Sequence, residues 1–430
     1  MRADVRGESG PALERVGGLR EADGELWCEG VRLAEIAAAF GTPSFVYSEA
    51  TIRQRYASFA AAFDQVPCRV CFSAKANHNL SILRLMRELG AGLDVVSLGE
   101  LYRARQAGFA GPEIVFGGVG KRVDELEAAL SAAVLMINVE SEGEVRRLDR
   151  LAARLGVRAP LAVRVNPGVE AGKHSFTQTG HYKTKFGVAW EAAVGLYQLI
   201  SDLANVEAVG IDAHIGSQIL SAEPYQRTLL RLDALLADLG GRGIKLEYLD
   251  IGGGFGVAYE GEEEIDLASV ATVAAQVCSK FDLTCIVEPG RWLIAPAGLL
   301  LTRVQYVKKL GEQTYCVTDA GSNDFLRPSY YGARHPIEAV RRGAPAIVAD
   351  VVGPVCETGD FLGRDCSLPE IHEDDLLAVL YAGAYGAVMS SNYNSRPRAA
   401  EVLVDGAVAH LVRRREEVPE LFAGESIPAW

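Results

Sequence analysis

A chain of 430 residues with 49% hydrophobic content is long enough for two domains, or for one barrel with an addition, each with a sizeable core. A formal net charge of -13 and a pI near 5.2, with no run of Lys and Arg, argue against nucleic acid or an anionic membrane as partner. The start, Met1-Arg2-Ala3-Asp4-Val5-Arg6, has no apolar signal core and no uncharged apolar stretch reaches the roughly 18 residues of a membrane span, so a cytoplasmic globular protein acting on small molecules is expected.

Residues 1–25 are charged and Gly-rich and read as a loosely ordered lead-in, with structure starting near Leu26. Residues 26–47 hold a short helix pattern (Leu33, Ile36, Ala37) closed by Gly41, then a strand around Phe45 that is expected to join a later β domain. Over 48–290 one unit repeats, a short apolar strand followed by an amphipathic helix. The strands predicted are 70–74, 93–96, 114–116, 134–137, 161–165, 208–214, 246–251 and 284–287. Eight such units make a (β/α)8 barrel, whose chemistry belongs at the carboxyl ends of the strands. From 291 to 430 the pattern becomes mostly β, with strands at 299–307, 314–318, 346–355 and 376–381 and a hairpin over 401–408 turning on Asp405-Gly406. The fold class expected is therefore α/β, a (β/α)8 barrel followed by a mostly β C-terminal domain.

The eight cysteines are scattered, and several lie inside apolar runs, which suits reduced, packed thiols. Cys68-Arg69-Val70-Cys71 forms a C-x-x-C, but it lies in a strand-like run with no second pair, so core packing is expected and no metal site.

The predicted strand ends carry the chemistry. Lys75 follows the first, where a buried run gives way to a loop; a partly desolvated lysine there can form a Schiff base. Asp94 and Ser97 lie at the second end and His214 at the sixth. The run Gly252-Gly253-Gly254-Phe255-Gly256 follows the seventh, and Glu288-Pro289-Gly290-Arg291 the eighth. Glycines let backbone N–H groups approach a phosphate, and a barrel's usual phosphate site is built by its last two loops, with Arg291 adding charge. A Schiff-base lysine, a phosphate loop and an acid at the neighbouring strand end together point to pyridoxal 5'-phosphate (PLP). Glu288 is placed to keep the ring nitrogen protonated, His214 to stack on the ring and Ser217 to bond the phosphate. In the β region, Arg327 could hold a substrate carboxylate, Glu357 a substrate ammonium, and Cys356 could pass a proton to a carbanion.

Phe72-Ser73-Ala74-Lys75-Ala76-Asn77, Asp94-Val95-Val96-Ser97, His214-Ile215-Gly216-Ser217-Gln218, the glycine run, Glu288-Pro289-Gly290-Arg291, Cys356-Glu357 and Gly383-Ala384-Tyr385-Gly386 resemble the fold-type III PLP-dependent decarboxylases. Lys183-Thr184-Lys185-Phe186-Gly187, Asn323-Asp324 with Arg327-Pro328, and the stretch from Met389 to Pro397 look like the diaminopimelate branch. The resemblance implies that Lys75 holds PLP, that His214 and Glu288 meet its ring, and that Ser217, Gly254, Gly290 and Arg291 surround its phosphate. It further implies Arg291, Arg327 and Tyr331 at the substrate's distal carboxylate, Glu357 at its distal amino group, and Tyr385 touching cofactor and substrate. Cys356 would protonate Cα after CO2 leaves and would come from the other subunit of a homodimer. The activity implied is decarboxylation of meso-2,6-diaminopimelate to L-lysine and CO2, the last step of lysine biosynthesis. Competing readings are a decarboxylase of ornithine, lysine or a carrier-bound amino acid, and a catalytically silent regulatory homologue. Tyr330, Arg334, Thr358 and Asn392 depart from the family's usual residues.

Overall fold

The computed structural model describes residues 16, 18–169, 171, 185–259 and 261–429. These fall into two units. One takes the described residues of Tyr56–Ala258 and Glu263–Trp292, the other those of Met1–Arg55, Tyr259–Glu262 and Leu293–Trp430.

In the first unit, eight parallel strands close on themselves among the described residues: Cys68–Ser73, Gly92–Val95, Ile114–Phe116, Met136–Val139, Ala159–Asn166, Val206–Asp212, Tyr248–Asp250 and Thr284–Val287. Closure runs through Val287 pairing with Val70 at one seam and Val139 pairing with Val163 at another. The strand interiors are almost wholly buried, as a sheet covered on both faces requires. Cys71, Val115, Met136, Ala162, Val209 and Ile286 form one buried cluster, so this half of the C-x-x-C is a packing residue, and its thiol is free. Truncating one such buried large side chain to Ala costs about 2–5 kcal/mol.

The helices follow the sequence signals closely. Leu80–Glu88 is capped by Asn79, whose Oδ1 accepts from Ser81 N–H at 3.0 Å. Ser97 and Ser141 open Leu98–Gln106 and Glu142–Leu155 in the same way, each with a glutamate three residues on that reaches back to a backbone N–H. The strand predicted at 134–137 is observed at Met136–Val139: Ala133 at φ 52° turns the chain, and Leu135 N–H, shared between Gly111 O at 3.1 Å and Ile114 O at 2.8 Å, leads into the strand. Hydrophobicity does not separate a packed turn from a strand.

The second unit is built on a nine-stranded sheet. Ser44–Ser48, buried throughout, lies between Gly298–Leu310, which it pairs antiparallel, and Ala400–Asp405, which it pairs parallel. Ala400–Asp405 and Val408–Arg413 form the hairpin on Asp405-Gly406, with Gly406 at φ 56°. Phe361–Leu368 is a further strand, hidden in the sequence because Gly363, Arg364 and Asp365 interrupt its apolar pattern. At the amino end, Leu19–Ala22 already pairs with Glu25–Cys28, so a hairpin stands before Leu26, where structure is expected to start. Backbone pairing supplies that order with little apolar burial on the outer strand.

Candidate active site

The barrel unit gathers its charges at the strand ends. Lys75 sits in a single 3-10 turn, Ala74–Ala76, directly after Cys68–Ser73. Its Nζ lies 3.6 Å from Asp94 Oδ2, and its side chain keeps 37% of its surface exposed while Asp94 keeps 2%. Asp94 also accepts from Ser73 Oγ at 2.9 Å, and that hydroxyl reaches the Glu288 backbone oxygen at 3.0 Å. The lysine's amine thus lies beside a buried acid while part of its side chain stays exposed.

His214 Nδ1 accepts from Gly253 N–H at 3.0 Å, so the proton of the neutral ring is on Nε2. Burial, then the charges of Lys75 and Arg164, hold this imidazole well below its ordinary pKa, which keeps it neutral. Glu288 lies 4.0 Å from His214 Nδ1 and is buried. Burial first, then Asp250, Asp94 and Asp212, push its carboxyl well above the usual range. Arg291 Nη2 donates to Ser217 Oγ at 3.1 Å, joining the loop after the eighth strand to the one after the sixth. The glycine run is required by close approach: a Cβ on Gly253 would stand 2.2 Å from Glu288 O, and on Gly254, at φ +97°, 2.4 Å from Gly216 O. A Cβ on Gly290 would meet Ala76 Cβ at 2.9 Å, beside Lys75.

In the second unit, Arg327 opens a short helix, Arg327–Tyr331, and is buried. Its Nε donates to His335 Nε2 at 3.3 Å, and His335 Nδ1 donates to Leu380 O at 2.9 Å, which fixes the neutral tautomer of His335. The guanidinium lies 5.8 Å from the Tyr331 ring and 6.0 Å from the Tyr385 ring. Tyr385 adopts φ 56°, a left-handed conformation that side chains rarely take. Cys356 and Glu357 stand together on an exposed loop. Asp360 anchors that loop by accepting from Val355 N–H and Ser322 N–H, both at 2.6 Å. Asn394 Oδ1 accepts from Cys356 N–H at 3.1 Å, and the Tyr393 hydroxyl donates to Glu357 at 2.6 Å.

The pyridoxal-dependent decarboxylase family, pyridoxal binding domain, matches residues 49–295. A diaminopimelate decarboxylase of Pseudomonas aeruginosa is 48% identical over 406 residues, covering 94% of this chain and 98% of that one. The chain belongs to the pyridoxal-dependent decarboxylases, in the diaminopimelate decarboxylase family. Two solved structures of this family, each complexed with L-lysine, share the fold. The Helicobacter pylori enzyme has a TM-score of 0.88 at 39% identity, covering 91% of this chain and 98% of its own. That from M. jannaschii has a TM-score of 0.92 at 33% identity, covering 96% and 99%.

The donor set fits the cofactor this decarboxylase family is named for. A partly exposed amine, a buried carboxyl, a neutral imidazole and a guanidinium paired to a hydroxyl stand at the strand ends, groups whose chemistry suits the different parts of PLP. Among the described residues, no helix is long and apolar enough to cross a membrane. Of the branch-specific motifs, Lys183 and Thr184 lie outside the described residues. Sequence reasoning did not single out Arg164, Asp212, Asp250 or His335. Arg164 lies 3.1 Å from Glu140 and 3.8 Å from Asp212, both acids buried inside the barrel. An acid closing an apolar strand, as in Gly210-Ile211-Asp212 and Tyr248-Leu249-Asp250, is the signal that could have found two of them. His335 carries no such signal, because only the fold brings it to Arg327.

Proposed function

We propose that this chain decarboxylates meso-2,6-diaminopimelate to L-lysine and CO2, with PLP held on Lys75. The observation that carries the reading is Lys75 at the barrel rim, rooted on Asp94, in a chain nearly half identical along its length to a diaminopimelate decarboxylase. PLP supplies, when bound, an acceptor for the electron pair left at the substrate Cα as its carboxylate departs. Lys75 would hold the cofactor through its amine and would release it when the substrate amine takes its place. Glu288 keeps a proton at the ring nitrogen, and neutral His214 covers the ring without adding a competing charge. Ser217, Gly254, Gly290 and Arg291 hold the phosphate through a hydroxyl, backbone N–H groups and a cation.

Specificity follows from the substrate's second end. Arg291, Arg327 and Tyr331 bind its distal carboxylate, Glu357 its distal ammonium, and Tyr385 touches both cofactor and substrate. Ornithine has no distal carboxylate to offer a buried guanidinium, which would lose its charged partner. The orientation of Arg327 by His335 supports that assignment. Fixing the far end aligns the scissile bond, the entropic part of the rate enhancement. Cys356 returns a proton to Cα; its exposure in the single chain supports a homodimer in which this loop serves the partner's site, so that a two-fold axis makes two shared sites. We assign the protein to the cytoplasm on its acidic, reduced-cysteine composition.

Purified protein with PLP, given diaminopimelate, ornithine and lysine separately, should release CO2 from diaminopimelate. Release from ornithine or lysine alone would overturn the substrate assignment.

A further inference from the structure

Asp250 closes the strand Tyr248–Asp250 and is fully buried. Its Oδ1 accepts from Gly252 N–H at 2.8 Å, tying it to the first glycine of the run. Its Oδ2 is buried without a hydrogen-bond partner, and the Asn138 amide oxygen is in the same condition. Across the seam stands Glu288. Ile251 N–H donates to Ile286 O at 3.0 Å and Glu288 N–H to Gly252 O at 2.9 Å, so the two acids, both buried, lie on adjacent strand ends. Two carboxylates are acceptors only; a hydrogen bond between them requires a proton on one.

We propose that Asp250 is a positioning residue that shares one proton with Glu288, so that the pair carries a single negative charge and Asp250 sets the orientation of the Glu288 carboxyl. The surroundings favour this. Asp94, Asp212 and Glu140 add further buried acids, while Arg164 and Lys75 supply the cations; His214 is neutral and burial keeps the Cys71 thiol protonated. Ionising every acid would leave more buried negative than positive charge, which is costly. Burial is the main reason Asp250 is pushed up to about 7. The proposal rests on the functional reading only for what the orientation serves, namely the ring nitrogen of PLP.

The alternative is that Asp250 is an anion that merely caps Gly252 N–H. Full-length Asp250→Asn separates the two, since its amide oxygen can keep the Gly252 bond while its N–H group replaces the shared proton. Stability of the cofactor-free chain is measured across about pH 5–8, and PLP affinity by direct titration. A carboxyl protonated above its unfolded pKa near 4 stabilises the fold at low pH and loses that contribution as pH rises through about 7. Asp250→Asn is therefore expected to take up about one proton fewer on folding, against a background of Glu100 and Asp324 common to both proteins, and to bind PLP within about threefold of the parent. Asp250→Ala is expected to bind PLP at least about tenfold more weakly. An unchanged pH slope in Asp250→Asn, or affinity as poor as that of Asp250→Ala, overturns the proposal. If Asp250→Ala does not fold, the pH slope of Asp250→Asn decides alone. Neither readout uses substrate, so failure to release CO2 from diaminopimelate would sink the functional reading and leave this one standing.

Discussion

The barrel rim and the loop of Cys356 hold Lys75 and Cys356 by opposite means. At the rim, Lys75 is rooted on a buried aspartate and surrounded by strand ends whose backbones are locked in a closed sheet. In the β unit, Cys356 and Glu357 are exposed, and what order they have comes from Asp360 beneath them and from Tyr393 and Asn394 beside them. Arg327, in the same unit, is of the first kind, buried and oriented by His335. Under the proposed roles, the difference teaches that a cofactor needs a rigid multipoint cradle, whereas a group that enters the reaction once can ride on a loop.

The strongest way to break this comparison is at its buried end. Lys75→Ala should lower CO2 release by at least about a thousandfold and remove the visible band of the lysine-bound cofactor. Retained colour and turnover would take Lys75 out of its role. Cys356→Ala should cost about a hundredfold in turnover with cofactor colour unchanged, because general acid help is lost and the cradle is not; loss of the colour would place the loop within the cradle. Arg327→Lys and His335→Leu should each cost about tenfold, mainly in KM, since the fork geometry or its orientation goes while the charge stays. A fall in turnover at unchanged KM would place them in the chemical step.

Smaller effects sharpen the contrast. If the exposed loop serves a partner's site, mixing Lys75→Ala with Cys356→Ala subunits should restore about a quarter of parent activity, since half the dimers are mixed and each has one intact site. No recovery after subunit exchange would confine each site to one chain. Glu100, at the cap of Leu98–Gln106, is pushed up to about 7, chiefly by burial and against the bond from Val96 N–H. Its folded pKa exceeds its unfolded one, so its contribution is full below about pH 4 and fades as pH rises through about 7. Glu100→Gln should flatten that part of the stability profile, and an unchanged profile would show the group is ionised throughout.

Periodicity in the chain was enough to determine the eight strand-helix units, the change to β structure after 290, and the hairpin on Asp405-Gly406, because each rests on local spacing of apolar and turn residues. The rim residues Lys75, His214 and Glu288 were readable for the same reason: a charge closing a buried strand is conspicuous. What only the tertiary structure decided is which distant groups stand together. His335 meets Arg327 and Tyr393 meets Glu357 through loop path, and strand register sets Asp250 and Glu288 on adjacent strand ends. Burial then decides their charge, for desolvation acts on a side chain only once the closed barrel has removed its water.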